Sequence, residues 1–596
     1  MANYRAPLRD MQFALVEIAA LNAVSALPGY EDSSADLVEA LLEGAAKLAS
    51  DVLSPLNKSG DQQGVSLGDG GVKTAGGFAS AYQKFVAGGW NSIAGDPAYD
   101  GQGLPALVAA AVFEMWNSAN MSFALCPLLT AGAIEALKAH GSDSLKHQYL
   151  RKLVTGEWTG TMNLTEPQAG SDLAAVRSKA VPHGDHYRIF GQKIFITWGD
   201  HDIAENIVHL ILARLPDAPE GTRGISLFLV PKYLVNADGS LGDRNDVRCA
   251  SVEHKMGIHA SPTCVMSFGP SLGAIGYLVG EKNQGLAHMF TMMNEARHKV
   301  GLQGLGVAER AYQQARDFAK ERVQGRPFGK KGGERVTIIH HPDVRRMLLT
   351  MKAQIEAMRA FCYVVSADSD FAHRHPDPKR RIKHQQRVDL LTPVVKGWCT
   401  EIAVEIASLG IQVHGGMGYI EETGASQYLR DARIAPIYEG TTGIQAGDLV
   451  GRKLAADRGA AMGALIQEMR EFEEYLGQSE DLELLAICST FASGVDALEQ
   501  ASDGMLKAYV ENPTLALAGS VSYLMLVGYV CGAWQMTRAA DLAFKHKSAD
   551  DQESFYGAKF AIAQFYLAQI LPKVHGLQIA IQSDVSAALS LGEQWF

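Results

Sequence analysis

Paired cysteines are missing from this sequence. Its seven cysteines stand scattered at 126, 249, 264, 362, 399, 488 and 531, with no C-x-x-C. That excludes a zinc knuckle and a disulfide-framed domain, and points to reduced intracellular chemistry, so a cytoplasmic location is expected. G-x-x-x-x-G-K-[ST] and H-E-x-x-H are also absent, so neither a P-loop nor a zincin site is encoded and no metal is expected. Positive charge is in deficit: 54 Lys and Arg against 65 Asp and Glu, a net charge of −11. That argues against nucleic acid or an anionic membrane as the main partner, while leaving room for a local basic pocket for a phosphorylated ligand.

Several near-motifs fail on context. GLQGLG (301–306) has the wrong glycine order and no preceding strand for a dinucleotide fingerprint. GPSLG (269–273) fits G-x-S-x-G, but Pro270 and Gly273 predict a loop instead of a strand-to-helix elbow. Residues 11–27 follow Arg5 and Arg9 like a signal peptide. Asp10 and Glu17 interrupt them, and Phe13, Val16, Ala20, Leu21 and Val24 recur at helical spacing. Residues 514–534 carry no charge and could span a bilayer by length. Their glycines and serines, between soluble-looking helices, favour a helix buried in a bundle, so no integral membrane segment is expected.

What is present builds cores. Hydrophobic residues make up 47% and charged residues 20% of 596 positions, enough for about four domain-sized units. Residues 1–150 read mostly as helix, as in 37–53. Strand patterns follow: HYRIFGQKIFIT (186–197) as two short strands around Gly191-Gln192, then 207–214, 224–230 and 264–269. Helical spacing returns from 285, with one stripe through Val344, Met347, Leu348, Met351, Ile355, Met358 and Phe361. HRHPDPKRRIK (373–383) reads as a basic connection, and 460–596 as helix again. The expected class is α+β, divided as 1–154 helical, 155–282 β, 283–455 helical and 456–596 additional helical.

Four segments carry possible chemistry. NLTEPQAGSDL (163–173) is loop-like; its Thr165, Ser171 and backbone N–H groups suit a polar ring or phosphate, or a capped surface turn. KIFITWGD (193–200) sets Phe195 and Trp198 around Thr197, as a cofactor wall or as core. IQVHGGMGY (411–419) ends a helix in Gly415-Gly416, allowing close backbone approach to a ligand or a simple turn. APIYEGTTGIQ (435–445) sets Glu439 between Tyr438 and Gly440, where a carboxylate suits a general base or a helix cap.

Taken together with ERVQGR (321–326), these segments resemble the acyl-CoA dehydrogenase family over about residues 40–455. The resemblance implies an N-terminal helical domain, a middle β-barrel-like domain and a C-terminal four-helix domain holding FAD and an acyl-CoA thioester. It implies that Met162, Leu164, Thr165, Gly170 and Ser171 line the flavin and its pyrophosphate, with Ser171 also near the CoA phosphate. Phe195, where the family usually has Trp, packs with Ile196 and Thr197 on the isoalloxazine. Asn294 to Arg297 resembles a CoA-contacting turn with Arg297 as anchor. The arginine that reaches the FAD pyrophosphate of a neighbouring subunit would, by the resemblance, be Arg322, with Arg326 a rival because R-x-x-F-G is interrupted as RVQGRPFG. Gln412, Gly415 and Gly416 meet FAD across a homodimer interface. By the same resemblance Glu439 would be the catalytic base, Gly440 would lie on the substrate side, and Thr441 and Gly443 toward the adenine.

Two departures stand out. The chain continues some 140 residues beyond about 455, where the resemblance ends, about one further domain. That extension and ANYRAPLRDMQF resemble a long-form branch of fatty and 3-(methylthio)propanoyl-CoA dehydrogenases, and no residue identifies a thioether. The implied reaction is FAD-dependent α,β-dehydrogenation of 3-(methylthio)propanoyl-CoA or a medium- or long-chain fatty acyl-CoA to trans-2-enoyl-CoA, with electron-transfer flavoprotein as acceptor. An acyl-CoA oxidase, a non-catalytic flavin or CoA binder and a serine hydrolase are the alternatives.

Overall fold

The computed structural model describes residues 4–327, 329, 333–546 and 554–596. Ala2 and Asn3 of the opening motif and Phe328 of the interrupted arginine motif lie outside them. The chain forms two units: Lys47–Leu104 with Ala119–Lys299, and Met1–Ala46 with Pro105–Ser118 and Val300–Phe596.

The first unit is built on eight strands: β1 Trp158–Asn163, β2 Lys179–His183, β3 His186–Thr197, β4 Asn206–Arg214, β5 Ile225–Pro231, β6 Val247–Val252, β7 Thr263–Phe268 and β8 Ala274–Val279. Their order is β6-β7-β3-β8-β5-β4-β1, and β2 pairs with both β3 and β4. That extra pairing closes a ring, β3-β8-β5-β4-β2, which gives the sheet its barrel-like form. β5 is buried along its whole length and β4 at all but Arg214, so both of their faces are covered and their sequences are nearly continuous apolar runs.

HYRIFGQKIFIT is one 12-residue strand and not two. The pattern splits because its partners change at Gly191: residues 187–189 pair with β8 and 191–197 with β7. A Cβ at Gly191 would lie 2.3 Å from the Ser178 hydroxyl, so the crossing requires glycine. β1 carries no apolar alternation because, after Trp158, its buried side chains Thr159, Thr161 and Asn163 are polar. Thr159 bonds His201 at 2.9 Å and Thr161 bonds His209 at 2.7 Å. GPSLG is the turn from β7 to β8, where Asp246 accepts from the N–H groups of Ser271, Leu272 and Gly273. It leads into a strand, so it is no nucleophile elbow.

Helices α1 Ala106–His140 and α2 Gly285–Glu321 contribute residues to both units. The second unit continues with α3 Pro342–Arg374, α4 Pro378–His414, α5 Ala460–Gly477, α6 Leu482–Glu511, α7 Ser520–His546 and α8 Phe555–Phe565. Six of the seven stripe residues on α3 are buried; Val344 is partly exposed. The basic run 373–383 is mostly helical, and the connection between α3 and α4 shrinks to 375–377. The GLQGLG glycines are a helix crossing. Cβ atoms at Gly301 and Gly304 would sit 2.9 and 2.8 Å from the Val395 and Cys399 carbonyls of α4.

The uncharged run 514–534 forms a short helix, Pro513–Ala518, and then enters α7, which is buried between α3, α4 and α6. Its glycines have a packing reason. Trp398 of α4 is wholly buried, and a Cβ at Gly528 would lie 2.2 Å from its Cγ. Polar pinning is added by α8: Lys559 meets Asp10 and Glu356, each at 2.8 Å. Burial opposes ionisation of Asp10, but the Lys559 and Lys352 ammonium groups hold its carboxyl well below the usual carboxylate range. Among the described residues one helix, α1, is long and apolar enough to cross a membrane, and most of its apolar window is buried.

Candidate active site

β1 runs directly into the 164–172 turn, so this segment follows a strand and not a helix. Glu166 organises it. Its carboxylate accepts from the Arg177 N–H at 2.8 Å, the Ser178 N–H at 3.0 Å, the Ser178 hydroxyl at 2.6 Å and Lys193 Nζ at 2.8 Å. Lys193 also donates to the Leu164 carbonyl at 2.9 Å, and the Ile194 N–H donates to the Thr165 carbonyl at 2.9 Å. Burial raises the cost of the Glu166 charge, yet Lys193 and these donors hold its carboxyl down to about 2. With both carboxylate oxygens engaged by Arg177, Ser178 and Lys193, Glu166 is a structural anion. Met162 and Thr165 remain partly exposed, Leu164 is buried, and Gly170 and Ser171 are exposed on the turn.

KIFITWGD divides its aromatics between the two roles. The β3–β7 register shifts between Cys264 and Met266, opposite Ile194-Phe195. Phe195 takes a φ of 60°, in the left-handed region, and its ring is 59% exposed. A bulge re-aims a side chain out of the pleat. Ile196 is buried and Thr197 partly exposed. Trp198 is core: it is wholly buried, and its indole N–H donates to the Ser122 carbonyl at 3.1 Å.

In the second unit, Glu439 sits in a tight loop before the short helix Thr442–Gly447. Glu439 has φ 54° and Gly440 φ 91°, so two consecutive residues are left-handed. Lys396 Nζ donates to the Gly440 carbonyl at 2.6 Å, and Gln445 Nε2 donates to the Glu439 carbonyl at 2.9 Å. The Tyr438 hydroxyl donates to Gln303 Oε1 at 2.6 Å; burial and then the neighbouring Glu439 raise its pKa, so it stays a neutral donor. Glu439 itself is partly exposed. Thr441, and not Glu439, is the helix cap, accepting from the Ile444 N–H at 3.2 Å.

α4 ends at His414, and Gly415 turns the chain with φ 61°. Cβ atoms at Gly415 and Gly416 would meet open space, and Gln412 is exposed. Met417, Tyr419 and Ile420 follow as exposed apolar side chains, Tyr419 at 86%. Arg322 and Arg326 are both exposed just beyond α2, where Val323 bridges Thr337. Asn294 and Arg297 are not on a turn, as expected, but inside α2, Asn294 exposed and Arg297 buried. Helical spacing runs unbroken through NEAR, and the resemblance had suggested the turn.

The residues fit the expected flavin. The exposed Phe195 ring offers a flat apolar face, Gly170 and Ser171 offer backbone donors on an open turn, and a Cβ at Gly170 would meet nothing within 4 Å. The supporting residues Lys193, Ser178, Lys396, Gln445 and Gln303 were not singled out from sequence. Lys193, Lys396 and Gln303 act through burial and partners 27 to 135 positions away, which local pattern does not encode.

Comparison with known proteins matches residues 39–157 to "Acyl-CoA dehydrogenase, N-terminal domain" and 161–269 to its middle domain. Residues 283–454 match its C-terminal domain, and 465–591 match "Acetyl-CoA dehydrogenase C-terminal like". The chain is 47% identical over 575 residues to 3-methylmercaptopropionyl-CoA dehydrogenase of Ruegeria pomeroyi, covering 95% of this chain and 96% of that one. It is 35% identical over 616 residues to a butyryl-CoA dehydrogenase of Syntrophomonas wolfei, covering 100% and 99%. Among solved structures, an acyl-CoA dehydrogenase complexed with FAD from Bacillus anthracis superposes with a TM-score of 0.74 at 19% identity, covering 98% and 93%, a likeness of fold.

Proposed function

The chain belongs to the acyl-CoA dehydrogenase family, and from that premise we propose that Glu439 is the base that takes the α-proton of a short linear acyl-CoA. The protein is an oxidoreductase that uses FAD to convert an acyl-CoA thioester to a trans-2-enoyl-CoA. The observation that carries the base assignment is the Glu439 loop. A partly exposed carboxylate stands on a left-handed backbone whose flanking carbonyls are both pinned.

An α C–H beside a thioester is a very weak acid, so its loss needs a placed base and a polarised carbonyl. The Glu439 carboxylate serves as base, and its backbone N–H is a donor for the thioester oxygen. Bound FAD supplies the acceptor for the β-hydride. Met162, Leu164, Thr165, Gly170 and Ser171 would hold it, with Phe195, Ile196 and Thr197 against the ring system. Thr441, Gly443, Gln412, Gly415, Gly416 and Arg322 complete the set we assign to it. Ser171, Asn294, Arg297 and Gly440 are assigned to the acyl-CoA.

The exposed Met417, Tyr419 and Ile420 beside the paired glycines support a homodimer built through this segment. Electron-transfer flavoprotein is the proposed acceptor, on family grounds. Seven free cysteines, with the Cys362 and Cys399 thiols hydrogen-bonded at 3.8 Å and not joined by a disulfide, support a reducing, cytoplasmic location. The four segments 1–154, 155–282, 283–455 and 456–596 are proposed as the domain division.

Substrate choice follows two relatives named for short acyl groups, one of them a thioether. Steady-state kinetics on CoA thioesters from butyryl to palmitoyl, with 3-(methylthio)propanoyl, tests it. The highest kcat/KM should fall on 3-(methylthio)propanoyl- or butyryl-CoA; a maximum at palmitoyl-CoA would overturn the short-chain assignment. Rapid peroxide formation without an added acceptor would instead establish an oxidase.

A further inference from the structure

α4 supports the base loop at two points. Lys396, wholly buried on this helix, donates to the Gly440 carbonyl at 2.6 Å. Glu401, further along the same helix, accepts from the Thr442 hydroxyl at 2.6 Å. The loop also closes on itself, with the Thr442 N–H donating to the Pro436 carbonyl at 3.0 Å. Gln445 then fixes the Glu439 carbonyl from the short helix that follows. The same α4 ends at His414, immediately before Gly415 and Gly416.

A buried ammonium is costly unless its hydrogens find acceptors. Placing that cost at this spot has a consequence for the neighbouring residue. Glu439 is a non-glycine residue in the left-handed region, a conformation that persists only where the surroundings over-determine it. A charge-assisted bond is shorter and stronger than a neutral one, and here it grips the Gly440–Thr441 peptide, one residue beyond Glu439. A neutral amide at position 396 would grip it less tightly.

We propose that Lys396 is a positioning residue for the reaction, holding the Glu439 carboxylate in place through the Gly440 carbonyl. Lys396 touches neither substrate nor cofactor in this role. The proposal rests on the reading of Glu439 as the base. A base displaced by about 1 Å can lose on the order of 100-fold in rate, so the effect is measurable.

The test uses the full-length FAD-loaded enzyme with Lys396→Met and Lys396→Arg, each in the native and in the Glu439→Gln background. Flavin content, trans-2-enoyl-CoA affinity, melting temperature and the anaerobic rate of flavin reduction by butyryl-CoA are measured. Lys396→Met should keep its flavin, bind the enoyl-CoA within about threefold, and reduce about 10- to 100-fold more slowly, as expected for a misplaced base. Lys396→Arg, which keeps a charged donor, should recover most of that loss. In the Glu439→Gln background Lys396→Met should add no more than about twofold, because residues acting as one unit are not additive. If Lys396→Met does not fold, Lys396→Gln takes its place with the same expectations.

Reduction at the native rate in Lys396→Met, or a full additional slowing in the Glu439→Gln background, would overturn the proposal and leave the base assignment standing. Native-rate reduction in Glu439→Gln alone would overturn the base assignment and this proposal with it.

Discussion

The Glu166 carboxylate and the Lys193 ammonium meet at 2.8 Å, both buried, and tie the turn assigned to the flavin onto the strand that presents Phe195. Breaking one partner leaves the other's charge buried and unpaired. Glu166→Gln is therefore expected to destabilise the protein by about 3–5 kcal/mol. Its flavin-to-protein ratio should fall with it. Thermal melting and the ratio of flavin to protein absorbance check both; native values for each would show that the pair organises nothing.

The same carboxylate sets an acid limit. Its pKa is lowered from 4.5 to about 2 in the fold. A depressed carboxylate contributes its full stability above the unfolded value and loses it as pH falls through the folded one. Flavin release is expected to rise between pH 4.5 and 2 in the native protein. Glu166→Gln should lack this component of the pH dependence, measured by free-flavin fluorescence.

Glu439→Gln keeps size and packing but removes proton affinity. Turnover should drop by about 10²–10⁴-fold, the range for losing a general base. Flavin content and enoyl-CoA binding should remain near native. The decisive reading is single-turnover reduction, which must slow by the same factor as turnover.

Arg322 and Arg326 are both exposed, so their exposure does not choose between them. Arg322 has its backbone fixed, with its carbonyl accepting from the Ile338 N–H at 2.8 Å. A bidentate guanidinium on phosphate is hard to replace. Arg322→Ala should lose more bound FAD than Arg326→Ala. Equal occupancy of the two variants, measured after gel filtration, would contradict the assignment.

Lys559→Met removes one of two ammonium groups between Asp10 and Glu356, while Lys352 continues to pair with both. The melting temperature should fall, corresponding to about 3 kcal/mol of lost stability. Rates at low temperature should stay native. A variant melting at the native temperature would show that this ion pair does not fasten residues 456–596 to the rest of their unit.

The sequence was legible where chemistry is local. Helical spacing placed the α3 stripe, and the paired glycines at 415–416 and the loop around Glu439 stood out by residue type. It was illegible where a residue is explained by a distant partner. β1 hid because Thr159 and Thr161 are buried against histidines more than 40 positions away. HYRIFGQKIFIT looked like two strands because one strand changes neighbours at Gly191. Lys396 carries no local signal; its burial in the fold places it under Gly440.

Asp10 and Lys559 meet at 2.8 Å, although nearly the whole chain separates them. On the ribosome this contact has to wait. At about 5–20 residues per second, roughly half a minute to two minutes pass between synthesis of the two residues. The unit that ends at Lys299 has its whole sequence available far earlier. The nascent enzyme therefore has an order of assembly: the β unit with its Phe195 bulge can form first. The Met1–Ala46 segment gains its second cation only when almost the last helix emerges; until then Lys352 alone is available to neutralise Asp10.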